Sequence, residues 1–215
     1  PDGFDPQHPV LRRVLRSHPG LRLGRTGLVF DQIVPVVLEQ KVTGVEARRS
    51  WRELVTRFGD PAPGPVPAGM WVAPTPRTWL SLPDWQWHLA GVDQQRRRTI
   101  RAAATVANRL EECAVMEPAD ALRRLRAVPG IGVWTAAEVA QRALGDADAV
   151  SVGDYHLPSM VGWALTGRPV DDDGMLELLE EYRPHRHRVV RLVELSGMAP
   201  PRRGPRATIR DYRRL

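Results

Sequence analysis

The segment 121–143, ALRRLRAVPGIGVWTAAEVAQRA, constrains the fold of this chain more narrowly than any other feature. An amphipathic helical stretch runs through Pro129, Gly130, Ile131 and Gly132 directly into a second helical stretch. Two glycines one residue apart permit positive φ and leave the main chain bare, beside the unpaired N–H groups of the second helix. Such a hairpin is either a compact seat for an anion such as a DNA phosphate, or an ordinary tight helix–helix turn.

Individual residues of this hairpin have different expected roles. Ile131 is apolar at the tip, and we expect it to pack back between the two helices. The bare main chain at Gly130 and Gly132 is expected to meet phosphate, so replacing either glycine should weaken binding to DNA of any sequence. The arginine run that includes Arg96 either reaches phosphates or forms an ordinary solvated face. The expected DNA-contacting residues are Val128, Gly130, Ile131, Gly132, Thr135 and Arg96.

Composition fits a globular protein with a polyanionic partner. The 215 residues are 42% hydrophobic and 26% charged, which excludes a disordered chain and supplies a sizeable core. The net charge of +6 is compatible with nucleic acid. The sequence shows neither a long apolar run nor a signal peptide, so no membrane partner and a cytoplasmic, nucleoid-associated location are expected. Cys113 is the single cysteine, which excludes an internal disulfide and an iron–sulfur cluster and favours a small buried hydrophobe.

Helical periodicity predicts a mainly α fold of about nine or ten helices. Strand signals are confined to positions 28–30 and to Trp71–Val72. One long helix is expected from Asp93 to Glu112, and residues 60–76 form a loop rich in proline and glycine.

This pattern divides the chain into three parts. Residues 1–27 are interpreted as a lead-in that is either extended chain or the stub of a further N-terminal domain. Residues 28–198 form the helical domain. Residues 199–215 are a basic Pro/Arg tail, which is either a solvated end or a strap along a phosphate backbone.

The run LRAVPGIGVWTAAEVA resembles the hairpin of the helix-hairpin-helix (HhH-GPD) superfamily of DNA base-excision glycosylases, and is similar to the 3-methyladenine DNA glycosylase II family. The resemblance extends over about residues 28–198, from the opening pair of helices to Arg183-Pro184-His185-Arg186. It implies a mainly α fold of two helical lobes. The separate N-terminal β domain of the family is not recognisable.

The resemblance also implies a catalytic carboxylate. The family places its aspartate about twenty residues past a Trp-Thr-Ala start, and Asp154 follows Trp134 by twenty residues. A fixed carboxylate beside the sugar stabilises the positive charge that develops as the base departs, and it can orient water. Asp154 is otherwise the N-cap of a following helix, and the two roles are compatible.

Lyase chemistry through a hairpin lysine is excluded, because the only lysine, Lys41, lies in the opening helix pair. A glycosylase of this sequence would therefore be monofunctional. The resemblance further implies a monovalent cation, Na⁺ or K⁺, held by the main-chain carbonyls of Arg126, Val128 and Ile131. No other cofactor is expected.

The base pocket is where the sequence departs from the family. The expected pocket residues are Trp134, Glu138, Tyr155 and Gln40, with Trp134 either stacking on the flipped base or packing in the core. Glu138 and Glu194 stand where the family has aromatic side chains. The wedge that fills the gap in the duplex falls at Gln94, with Val92 as the alternative.

The sequence therefore favours a monofunctional, monomeric glycosylase that flips and releases damaged, alkylated purines from double-stranded DNA. The alternative, motivated by Glu138, Glu194 and Gln94, is a non-catalytic module that recognises damaged or distorted DNA. A nuclease is disfavoured because no cluster of carboxylates has metal-binding spacing.

Overall fold

The computed structural model describes residues 3–201 and is almost entirely helical, which confirms the predicted fold class. The helices are α1 Pro9–Ser17, α2 Val29–Leu38, α3 Gly44–Phe58, α4 Pro76–Ser81, α5 Asp84–Leu89, α6 Gln94–Thr105, α7 Ala107–Glu111, a 3₁₀ turn Glu112–Val115, α8 Pro118–Arg126, α9 Val133–Val139, a π-helical turn Ala140–Leu144, α10 Leu157–Thr166, α11 Asp172–Glu180 and α12 Arg186–Ser196. Two strands, β1 Asp60–Pro61 and β2 Trp71–Val72, form one antiparallel pair.

The helices pack into two lobes with separate cores. In the first lobe, α2 lies against α3, α6, α7 and α9, and its side chains Ile33 and Leu38 are fully buried. Trp87 is also fully buried there, stacked at a tilt on Trp79. Cys113 is buried in the same core, as expected. In the second lobe, α1, α10, α11 and α12 surround a smaller apolar core.

The lead-in is part of the second lobe, so the domain boundary predicted at residue 28 is wrong. Helix α1 packs along α12, and its Leu11 and Val14 are buried in the second core. The chain then crosses to the other lobe, where the Thr26 and Gly27 amides donate to the carbonyls of Arg142 and Ala143 at 3.2 and 2.9 Å. The apolar residues of this proline-interrupted segment therefore belong to the core of the second lobe.

Two local predictions are corrected. Residues 28–30 do not form a strand. Leu28 is the N-cap of α2, and Val29 and Phe30 are its first residues, whose amides donate to the Glu111 carboxylate at 2.9 and 2.8 Å. The long helix expected between Asp93 and Glu112 is interrupted at Val106, whose φ of −117° and ψ of 19° are not helical.

Several other features predicted from the sequence agree with the structure. The strand at Trp71–Val72 is confirmed, although its partner β1 carries no strand signal in the sequence. Asp93 caps α6 through a hydrogen bond from the Arg96 amide. No helix within residues 3–201 is both long and apolar enough to cross a membrane. The tail predicted at 199–215 lies outside the described residues from position 202 onward.

Candidate active site

The hairpin between α8 and α9 has the geometry that its glycines predict. Gly130 has a φ of +89°, and the Ile131 amide donates to the Val128 carbonyl at 3.0 Å. Ile131 is buried between the helices, as expected, and Val128 is buried beside it. Gly132 is exposed and open, since no atom lies within 4 Å of the position where its Cβ would be. The hairpin therefore presents main chain rather than side chains to solvent.

Gln40 supports this hairpin from behind instead of lining a pocket, which corrects its predicted role. Its amide donates to the Gly130 carbonyl at 3.0 Å and to Thr135 Oγ1 at 2.9 Å. The Thr135 side chain is buried, so the predicted contact of this side chain with DNA is not supported. Both residues instead fix the turn on the opening helix pair.

The predicted DNA contact of Arg96 is not supported either. Arg96 is 5% exposed as a residue, and its guanidinium donates to Asp93 Oδ2 at 2.7 Å, the Leu38 carbonyl at 2.9 Å and the Gly91 carbonyl at 3.0 Å. A side chain committed to three acceptors in the interior does not reach phosphate. Gln94 is exposed at the start of α6, whereas Val92 is buried, so Gln94 is the accessible wedge candidate of the two.

Asp154 is held by three hydrogen bonds. Its Oδ1 accepts the amides of His156 and Leu157 at 2.8 and 2.9 Å. The N-cap of α10 is His156, so the prediction that Asp154 is the N-cap is wrong, although Asp154 still binds the start of the helix. Its Oδ2 accepts the Trp134 indole N–H at 3.1 Å. Together the three bonds hold the Asp154 carboxylate in one fixed orientation.

A cleft of about 640 Å³ lies between the lobes, and Asp154 is on its wall. Its lining residues are Leu21, Arg22, Leu23, Gly24, Thr26, Gln32, Glu138, Gln141, Arg142, Ser151, Asp154, His156, Leu157, Met160, His187, Val190, Arg191 and Glu194. Among the described residues, this lining contains no tryptophan, tyrosine or phenylalanine. Trp134 packs against the first core and reaches the cleft only through its bond to Asp154. Tyr155 is 89% exposed and outside the lining, so its predicted pocket role is not supported.

Glu138 lies in the cleft, as predicted, and fixes the loop that carries Asp154. Its Oε1 accepts the hydroxyl of Ser151, and its Oε2 pairs with Arg142 at 2.8 Å. The Gln141 amide adds hydrogen bonds to Ser151 Oγ at 2.9 Å and to the Ala149 carbonyl at 3.0 Å. Gln141 and Arg142 belong to the π-helical turn, a local distortion that is frequent at functional sites.

The same loop is fixed to the second lobe by Asp148. Its carboxylate accepts the Arg186 amide at 3.1 Å and the Arg186 guanidinium at 2.9 and 2.7 Å. Burial alone would raise the pKa of Asp148, but the hydrogen bonds from Arg186 outweigh it and hold that pKa below its usual value. Asp154 is thus carried by a loop that is tied to both lobes.

Helix α12 supplies the opposite wall. Glu194 pairs with Arg191, and its side chain is 36% exposed. Partial burial, together with the charges of Glu138 and Asp154, raises the pKa of Glu194 against the opposing effect of Arg191. Burial, with the nearby Arg191 and Arg142, lowers the pKa of His187 to about 4, so this ring is neutral at neutral pH. Neither Glu194's raised pKa nor His187's position was evident from local sequence.

No protein-family model matches this sequence. Over 153 residues, 69% of the chain, it is 33% identical to a Mycobacterium tuberculosis protein described as a probable bifunctional transcriptional activator/DNA repair enzyme AlkA. The chain covers 30% of the length of that curated relative.

Solved structures share the fold. A 3-methyladenine DNA glycosylase from Archaeoglobus fulgidus is 23% identical with a TM-score of 0.75, covering 86% of this chain and 64% of that one. A Schizosaccharomyces pombe 3-methyladenine DNA glycosylase in complex with abasic DNA is 15% identical with a TM-score of 0.69, covering 89% and 91%. A DNA-3-methyladenine glycosidase from Bacillus halodurans is 19% identical with a TM-score of 0.63, covering 90% and 92%. The chain therefore has the fold of these solved DNA glycosylases, and its predicted resemblance to 3-methyladenine DNA glycosylases is confirmed.

Proposed function

We propose that this chain is a DNA N-glycosylase of base-excision repair that releases alkylated purines from double-stranded DNA. One observation carries the proposal: Asp154 is fixed by three hydrogen bonds on the wall of the interlobe cleft, at the family's spacing from the hairpin. A carboxylate fixed in this way is preorganised to stabilise the oxocarbenium-like sugar of glycosidic bond cleavage.

In this proposal the hairpin binds the DNA backbone, and the cleft between the lobes carries out the chemistry. The exposed main chain at Gly132 contacts phosphate without reading sequence, and the target nucleotide is flipped into the cleft. The carboxylate of Asp154 lies beside the sugar and orients the attacking water. Gln94 enters the space that the flipped base leaves.

The proposed reaction is hydrolysis without strand cleavage. Lys41, the single lysine, is exposed in the turn after α2 and does not line the cleft, so no lysine amine is available there for a Schiff base.

A monovalent cation, Na⁺ or K⁺, fits the hairpin in this proposal. Within residues 3–201 the carbonyls of Arg126 and Ile131 accept no hydrogen bond, and the Val128 carbonyl accepts only the Ile131 amide. Carbonyl oxygens of this kind are suitable ligands for such an ion, which would stabilise the turn and add positive potential toward phosphate.

A second candidate, a non-catalytic module for damaged DNA, is favoured by one feature. In the part of the chain that the structure describes, the cleft lining lacks the aromatic side chains on which a flipped base would stack. In that case Asp154 only binds the amides at the start of α10.

One assay separates these proposals. The protein is incubated with duplex DNA containing N7-methylguanine, and free base is measured by chromatography while strand integrity is followed on a denaturing gel. We expect free base and abasic sites, with strands that break only after alkali. Binding without release would support the non-catalytic module, and strand scission without alkali would contradict the monofunctional assignment.

A further inference from the structure

The cleft holds a second carboxylate besides Asp154 that is available for chemistry. We propose that Glu194 acts as a general acid that protonates the departing base, so that the cleft also releases neutral purines. The inference rests on the proposed glycosylase function and extends its substrate class. A cationic N-alkyl purine departs without help, whereas a neutral purine leaves as a poorly stabilised anion unless it receives a proton.

The position of Glu194 fits this role. It lies on α12, while Asp154 lies on the loop before α10, and both line the same cleft. Its Oε2 is bound by Arg191, and its Oε1 accepts no hydrogen bond within residues 3–201. That free oxygen is the atom on which a proton can sit and from which it can be donated.

The surroundings of Glu194 favour its protonated form more strongly than those of an ordinary surface glutamate do. Partial burial and the carboxylates of Glu138 and Asp154 oppose its ionisation, and Arg191 on its own helix favours it. Arg142 and Arg22 also line the cleft, where Arg142 is engaged by Glu138. The balance among these groups raises the pKa of Glu194, and a general acid works best when its pKa lies near the working pH.

Three other titratable groups of the cleft, Glu138, Asp154 and His187, are less suited to donate this proton. Both oxygens of Glu138 are occupied, by Ser151 and Arg142. The oxygens of Asp154 already accept three N–H groups, and in the proposed reaction this carboxylate is used at the sugar. His187 has a pKa of about 4 and so carries no acidic proton at neutral pH.

The proposed step is balanced. The C1′–N9 bond breaks, its electron pair stays on the purine, and the proton of Glu194 is transferred to a ring nitrogen of that purine. Water oriented by Asp154 adds to C1′ opposite the departing base and releases its proton to solvent, and the Glu194 carboxylate takes up a proton from solvent, which regenerates the acid. The products are a neutral base and an abasic sugar.

The test compares single-turnover release from two duplexes, one carrying hypoxanthine and one carrying N7-methylguanine. In Glu194→Gln we expect the hypoxanthine rate to fall about 100-fold, and the loss to exceed that for N7-methylguanine by at least about 30-fold. The wild-type hypoxanthine rate should decline as pH rises through the pKa of Glu194, and this decline should be absent in the variant. Glu177→Gln, the same change at an exposed site on α11, serves as the matched control.

Two further variants distinguish acid catalysis from a structural role. Glu194→Asp keeps a carboxyl group and should recover part of the hypoxanthine rate. Arg191→Gln removes the cation paired with Glu194 and should move the decline to higher pH.

The remaining outcomes overturn the inference. Equal losses on both duplexes, or no loss in Glu194→Gln, would remove Glu194 from the proton transfer. A wild-type protein that releases N7-methylguanine but not hypoxanthine would sink the inference and leave the proposed function standing. Release of neither base would overturn both.

Discussion

The hairpin and the cleft lie at opposite ends of one helical segment, α9 with its π-helical turn, yet they are built from different groups. The hairpin exposes main chain and is supported by the neutral side chain of Gln40. The cleft is lined by charged side chains such as Glu138 and Arg142. The contrast teaches that one continuous segment can present a contact to any DNA phosphate at one end and a base-dependent site at the other.

The largest effect should come from breaking the hairpin at Gly130. A Cβ there would overlap Thr99, whose own Cβ would lie 2.9 Å away, and the φ of +89° is strained for any L side chain. Gly130→Ala should therefore lower the free energy of unfolding by about 2–4 kcal/mol and weaken binding to all sequences. Urea unfolding and titration of an undamaged duplex measure the two effects.

Gly132→Ala is the matched control, because an alanine Cβ meets nothing within 4 Å at that position. Its stability should stay within about 0.5 kcal/mol of wild type, typical of surface changes. Its DNA affinity should still fall, since the added methyl stands between main chain and phosphate. Unchanged affinity in Gly132→Ala would show that this face of the hairpin does not meet DNA.

A smaller effect is expected at the bond that connects the hairpin helix to the cleft. Trp134→Phe removes the indole N–H that donates to Asp154 at 3.1 Å and keeps most of the apolar packing. A hydrogen bond to a charged group is worth about 1.5–3 kcal/mol, so single-turnover base release should fall roughly tenfold or more. Trp85→Phe, at a 58% exposed site, controls for the substitution itself. Equal rates in both variants would separate Trp134 from the chemistry.

The hairpin was predictable from the sequence because its determinants are local. The positive φ of Gly130, the burial of Ile131 and the start of α9 follow from a few adjacent residues. Asp154 was placed by its spacing from Trp134, and the hydrogen bond between them gives that spacing a physical reason.

The cleft and the supports of the hairpin depend on contacts between distant residues, which local patterns do not contain. Arg96 belongs to a run of arginines that resembles a surface, but the Leu38 carbonyl, 58 positions earlier, accepts its proton in the interior. Gln40 reaches a hairpin 90 positions away. The lead-in was misjudged because its apolar residues find their partners in α12, near the end of the described chain.

The most direct test of the account is single-turnover release of N7-methylguanine by Asp154→Asn, measured beside the affinity for the same duplex. The side-chain carbonyl of the introduced asparagine can still accept the amides of His156 and Leu157, so the start of α10 and the fold should persist. We expect release to fall by at least about 100-fold because the charge beside the sugar is lost, while the Kd for DNA changes by less than about threefold. Release at a rate near that of the wild type would contradict this expectation.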